Sequence, residues 1–397
     1  MKHFTTCVVI LGFFCGFTHC LPPKAFAEEK PITSSLGNPK IKLIGELTLP
    51  SRITNIFFEQ GKDGKYRIGK VLTQEGFYSI DETNQVKTLL DLNNWKTENE
   101  RFVFGEGLSP DGNTAIATTL VQSSTDSEEY WPGTQYIVNL KTGDKIPVQG
   151  CDGGPAFSAT TVMLMNAMAG STCFADFQGN ILNHYVLRNI VGTGRGHQFG
   201  FFGASPASFF DQSGEILKVY PHISQPQFRV NYDTGQVALH YCVYDEAGKP
   251  KESRVGVYNW KGELQHEMTL PFDLNVDLGF SPDGRYVVVA ARTGWVTALD
   301  MQSKTKLWEK KMNVGKVFYW SDPFPITHGA KLFAFVTLEP VSEKYLITIF
   351  SIKGEIIGYI ERDKRPEMRG FRLQFIPGTS LLVFYSDKYI NLYKIED

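Results

Sequence analysis

One element returns eight times along this chain, and its spacing governs what the chain can fold into. A short run of aromatic and β-branched residues ends in a small polar residue, and a tight turn and a second short run follow. The copies are Phe77–Asp81, Tyr136–Asn139, Cys173–Asp176, Ser208–Asp211, Gly256–Asn259, Val296–Asp300, Thr348–Ser351 and Asn391–Lys394. Successive copies end 35 to 58 residues apart, about 45 on average. That spacing fits a unit of four short strands, which cannot bury its own hydrophobic face and must stack on its neighbours. Gly143, Gly179, Gly214, Gly262 and Gly354 follow five of the copies and give the hairpin turn its backbone freedom.

Helical periodicity is almost absent after residue 40, where runs of five to eight residues rich in Val, Ile, Phe and Tyr alternate with turn residues. Tyr286–Ala291 is apolar on both faces and belongs in the middle of a stack. With 42% hydrophobic and only 21% charged residues, the chain is neither disordered nor fibrous. A net charge of -2 removes the basic field on which nucleic-acid binding relies. The reading is an all-β, eight-bladed β-propeller. A seven-bladed ring is the alternative, because only 35 residues separate Asp176 from Asp211.

Two turns share a second signature, Gly107-Leu-Ser-Pro-Asp-Gly112 and Gly279-Phe-Ser-Pro-Asp-Gly284, in which proline fixes φ and glycine ends the turn. On these units the chain resembles the WD-repeat and Tol-system propellers. Gly294-Trp-Val-Thr-Ala-Leu-Asp-Met-Gln-Ser-Lys-Thr-Lys-Leu-Trp308 resembles a quinoprotein-type repeat, with Lys304 where that pattern prefers glycine. The resemblance implies a propeller fold, and in role it extends to the propeller lipoprotein of outer-membrane protein assembly. A cysteine placed for lipidation is missing, since Cys15 follows Phe14 and Cys20 follows His19. The longer chain, calcium site and vicinal cysteine pair of quinoprotein dehydrogenases are missing too, so no cofactor is implied.

A propeller must close its ring. The last unit supplies three strands, at 371–375, 380–385 and 389–393, and Lys40–Leu49 precedes the first full unit with no partner of its own. The N-terminal strand is therefore expected to complete the last blade and to hide an edge that would otherwise aggregate.

Residues 1–27 read as a cleaved secretory signal: Lys2, an apolar run from Cys7 to Phe14, and the small-x-small site Ala25-Phe26-Ala27. Residues 28–39 read as a flexible segment and 40–397 as the propeller. No later apolar run is long enough to cross a bilayer. The absence of any Asn-x-Ser/Thr acceptor favours a bacterial envelope, so the expected location is periplasmic or extracellular. Cys151 and Cys173 are the candidate disulfide, with Cys242 left as a thiol; three unpaired core cysteines is the alternative.

Catalytic signatures are missing: no nucleophile elbow, no Cys-x-x-Cys, no zinc helix. Asp273-Leu-Asn-Val-Asp277 opens like a calcium loop but continues with Leu278 and Gly284 where glycine and glutamate are needed. Gly192–Gly200 reads as a long connection between blades rather than an anion cradle. Charged residues just before apolar inner strands should gather on one rim, in solvent. Arg101, Glu106, Asp152, Arg195, His197, Asp277, Asp322 and Arg372 are the candidate ligand-binding residues there, with Arg52 and Arg229 beside them. An acidic loop carrying Tyr130 and Trp131 and a basic patch from Lys304 to Lys316 are lesser docking candidates.

The resulting functional expectation is an exported, non-catalytic scaffold for a protein partner in the envelope. Two alternatives stand beside it. One is a propeller enzyme or enzyme subunit (a hydrolase, lyase or dehydrogenase partner) that brings His197 or His222 to acidic rim residues. The other is a sugar- or peptide-binding propeller.

Overall fold

The computed structural model describes residues 40–97, 100–122, 130–150, 153–166, 171–186, 194–204, 206–223, 226–232, 234–247, 249–270, 276–291, 294–311, 326–327, 331–338, 344–363 and 372–396. Among them eight antiparallel sheets follow one another along the chain, seven of four strands and one of three. The first strands of the first six blades are Ile53–Gln60, Glu100–Leu108, Gly154–Phe157, Gly194–His197, Gln227–Val230 and Val276–Phe280. In blade 7 the corresponding position is marked by a bridge between Ile326 and Phe333, and in blade 8 it is Arg372–Phe375. First strands of successive blades contact one another and so form the inside of the ring. The ring has eight blades, and the seven-bladed alternative is set aside.

The eight copies of the recurrent element are the third strands of the eight blades. Their terminal residue closes the hairpin to the fourth strand. Asp81 Oδ1 accepts the Thr83 and Gln85 amides, Asp176 Oδ1 those of Gln178 and Asn180, and Asp211 Oδ1 those of Ser213 and Glu215. Asn259 and Asp300 do the same for their own turns. The sequence rhythm is thus a row of side chains that replace backbone partners in a turn. Lys394 breaks the rule because no hairpin follows it.

Closure is as expected. Ile41–Thr48 pairs antiparallel with Tyr389–Ile395 as the outermost strand of blade 8, with Ile41 opposite Ile395. Ile44 is an extra residue there, since the register shifts between Leu43 and Gly45.

The core lies between blades, where the face of one sheet meets the next. Phe333, Phe335 and Phe350 of blade 7 are fully buried with Val288, Val296 and Ala298 of blade 6. Fourth-strand side chains tie these seams. The Tyr185 hydroxyl donates to Gly214 O at 2.9 Å, that of Tyr220 to Gly262 O at 2.6 Å, and Trp308 Nε1 to Ile352 O at 2.6 Å. The terminal tryptophan of the quinoprotein-type repeat is therefore a blade-to-blade tie, and two tyrosines serve that role elsewhere. No helix among the described residues is long and apolar enough to cross a membrane.

Candidate functional site

A four-stranded blade returns the chain to the rim where the blade began. Every first strand therefore runs the same way, and the two rims receive different connections. One rim holds the turns between first and second strands and between third and fourth strands. Between described strands these turns are at most six residues long. The other rim takes the connections between second and third strands and from blade to blade, which range from two residues, as at 74–75 and 387–388, to seven or eight, as at 123–129, 187–193 and 364–371. Loops mounted on a rigid scaffold are where binding residues concentrate, so the second rim is the candidate functional face.

The short-turn rim is closed by side chains. The Ser109 hydroxyl donates to Asp111 Oδ1 at 2.6 Å and accepts the Thr114 amide at 2.8 Å, and Ser281 repeats this with Asp283 and Tyr286. Thr327 accepts the amides of Lys331 and Leu332 at the same place in blade 7. The Gly-x-Ser-Pro-Asp-Gly signature is thus a structural turn.

His197 belongs to this set and not to the opposite rim. It ends the inner strand of blade 4, is wholly buried, and its Nδ1 accepts the Phe199 amide at 3.2 Å. Burial lowers its pKa to about 4, so the ring is neutral at pH 7. The expectation that it stands in solvent is wrong: a histidine has taken the position that serine or asparagine fills in other blades.

Four of the remaining candidates are placed at the leading ends of inner strands. Arg101 and Arg195 are exposed on blades 2 and 4. Gly196 follows Arg195 because the strand runs close to blade 3: a Cβ on Gly196 would lie 1.8 Å from Phe157 O. The glycine-rich stretch therefore contributes an inner strand, Gly194–His197, and is not all connection.

Asp277 of blade 6 is half-buried and faces Arg229 of blade 5, with Nη2 and Oδ1 3.8 Å apart. Arg229 Nε also donates to Leu278 O at 2.9 Å. Arg372 Nη1 donates to Thr54 O at 3.2 Å, from blade 8 to blade 1. Arg229 and Arg372 thus carry the same cross-blade contact, a structural use that the sequence pattern did not separate from a binding one. Glu106 lies further along the inner strand of blade 2. Asp152 and Asp322 lie outside the described residues, as do Cys151 and most of the calcium-like stretch. No set of three metal-ligating side chains gathers among the described residues.

Another ionisable cluster spans blade 5. Tyr241 donates to Glu267 Oε1, Arg254 Nη1 meets Glu267 Oε2 at 3.0 Å, and Arg254 also pairs with Glu252. Burial, reinforced by Glu267, raises the Tyr241 pKa, so the phenol stays a proton donor to the carboxylate. Such a network ties strands together and supplies no nucleophile. Cys173 is disulfide-bonded, its Sγ 3.8 Å from Gly150 O, while Cys242 is a half-buried thiol outside any disulfide.

No protein-family model matches the chain, and no curated protein matches it. Solved structures do. BamB from Moraxella catarrhalis aligns over 89% of this chain and 100% of its own, with a TM-score of 0.50 and 12% identity. The C-terminal WD40 domain of Sif2 aligns over 90% and 99%, with a TM-score of 0.57 and 12% identity. Likeness at this identity is likeness of fold. The chain is an eight-bladed β-propeller, similar in fold to both of these structures.

Proposed function

We propose that the chain is exported and acts without catalysis, binding a protein partner of the cell envelope through the rim that carries the long connections. The contrast between rims supports this reading. One is closed by short turns with internal side-chain caps, and the other exposes Arg101 and Arg195 and receives the longest connections of the chain. Binding energy at such a face is spread over a few anchors and a tolerant surround. Arg101→Ala and Arg195→Ala should each weaken capture of an envelope partner while leaving the melting temperature almost unchanged. A turnover signal in a broad hydrolase and dehydrogenase screen, abolished by either substitution with folding and capture intact, would replace the scaffold with an enzyme.

Export rests on Ala25-Phe26-Ala27, and the mature protein is proposed to begin at Glu28. N-terminal sequencing of secreted material decides this, and retention of residues 1–27 would refute it. The partner of Cys173 is proposed to be Cys151, which is next to Gly150 in the chain. Peptide mapping without reductant should recover the linked pair.

A further inference from the structure

Blades 1 and 2 meet around an arrangement of rings and charge that none of the contacts above requires. Trp95 ends the short 3-10 helix Leu92–Trp95 that leads from blade 1 into blade 2. Phe102 stands on the inner strand of blade 2 and Tyr136 on its third strand. Trp95 and Phe102 meet edge to face, with centroids 5.5 Å apart at 86°, and Phe102 and Tyr136 follow at 5.7 Å and 52°. The Lys145 ammonium lies 4.6 Å from the Trp95 centroid, 4.2 Å from Phe102 and 5.5 Å from Tyr136. One cation is thus held by three rings, all within the range over which a ring face attracts positive charge.

Among the described residues Lys145 has no carboxylate partner. A primary ammonium is strongly hydrated and carries three N–H donors, which ring faces serve poorly. A quaternary ammonium has no N–H to satisfy and surrenders less hydration, so this site suits it better than it suits its resident. Lys145 can also leave at small cost. It is exposed and opens the outer strand Lys145–Val148, and its backbone pairing with Val138 does not depend on where the side chain points.

We propose that Trp95, Phe102 and Tyr136 form a binding site for a small soluble quaternary ammonium compound, with Lys145 as the internal cation it displaces. Phe102 follows Arg101 on the inner strand of blade 2, and neighbouring strand residues point to opposite faces, with Arg101 exposed and Phe102 buried, so the ring site does not use Arg101 and is tested independently of partner capture.

The test is calorimetric titration of the full chain with choline chloride, against sodium chloride at matched ionic strength. The wild type should bind choline weakly, and Lys145→Ala should bind it at least ten-fold more tightly. Adding Trp95→Leu to Lys145→Ala should abolish that gain; if this double variant melts early, Tyr136→Leu serves in its place. Tetramethylammonium should bind Lys145→Ala more tightly than ammonium does. A Lys145→Ala protein that melts like the wild type and shows no saturable choline binding would overturn the proposal. So would a gain that survives loss of Trp95 or Tyr136, or equal binding of ammonium and tetramethylammonium, which would mean that the site reads charge alone.

Discussion

Arg372 reaches across the seam where the ring closes: its Nη1 donates to the carbonyl of Thr54, 3.2 Å away and 318 residues earlier in the chain. The same blades are joined by the N-terminal strand, which is the outer edge of the sheet that Arg372 opens. The seam is therefore held on the inside by a charged donor on a carbonyl and on the outside by seven paired positions of backbone.

These two devices differ in weight. Arg372→Met removes the charge-assisted hydrogen bond to Thr54 and should cost at least about 1.5 kcal/mol. Arg101→Ala, exposed on its own inner strand, should stay within about 0.5 kcal/mol of the wild type. Deleting residues 40–49 strips an entire strand and bares the edge of Tyr389–Ile395, so it should cost several kcal/mol and promote aggregation. Urea unfolding of the three variants orders them. If the truncation unfolds at the wild-type midpoint, the N-terminal strand does not close the ring.

The tie at Trp308 can be split into its parts. Its ring stacks on Phe333 at 5.7 Å and 19°, and its Nε1 donates to Ile352 O. Trp308→Phe keeps a ring and loses the donor, which should cost on the order of 1 kcal/mol, whereas Trp308→Ala also empties the seam and should cost roughly 3 to 5 kcal/mol. Equal losses in the two variants would show that the hydrogen bond carries the whole effect.

What could be read beforehand, and what could not, follows from range. Asp81, Asp176 and Asp211 act on amides two to four residues away, so their recurrence is visible as a spacing in the chain. Closure was legible because a unit of three strands and an unpartnered strand imply each other. The rim candidates were not resolved by the same means. Arg101 and Arg372 look alike in sequence, both charged and both just before apolar inner-strand positions, yet Arg101 is exposed while Arg372 is half-buried and donates to Thr54, 318 residues earlier. His197 misled for a related reason. It lies only two residues beyond Arg195, but a strand of four residues spans the depth between rim and turn, so the two belong to different surroundings. The aromatic ties at Tyr185 and Tyr220 are hidden in the sequence because tyrosine stands where the repeat pattern has tryptophan, and its hydroxyl reaches the corresponding carbonyl.

Lys304 occupies the turn position that glycine holds in several other blades, and it adopts φ 54°. The left-handed conformation costs a residue with a Cβ about 1 to 2 kcal/mol, part of which glycine returns through its freer unfolded state. Lys304→Gly should therefore stabilise the protein by roughly 0.5 to 1 kcal/mol. A second readout comes from His266, whose pKa is lowered by burial and, next, by the charge of Lys304. Removing that charge should move the His266 titration upward by NMR. Loss of stability in Lys304→Gly would mean that the lysine side chain makes a contribution beyond its backbone strain.

The last prediction concerns acid. His197 is buried with its Nε2 lacking any hydrogen-bond partner, and burial brings its pKa down to about 4 from an ordinary value near 6.5. Above about pH 6.5 the ring is neutral in both the folded and the unfolded chain, and its contribution to stability is fully present. As the pH falls from 6.5 towards 4, the unfolded chain binds a proton that the folded one refuses, so stability is lost through that window by up to roughly 3 kcal/mol. Below about 4 both states are protonated and the loss stops growing. His197→Asn supplies the residue that blade 5 uses at Asn231, whose Oδ1 accepts the Thr234 amide at 3.1 Å, and it leaves an acceptor for the Phe199 amide without a titrating ring. Unfolding midpoints in urea, measured for both proteins from pH 4 to 8, should run parallel above 7 and diverge below 6.5, with the wild type falling faster. Parallel curves over the whole range would mean that His197 gains a proton in the folded chain as readily as in the unfolded one, and that its ring is not sealed from water.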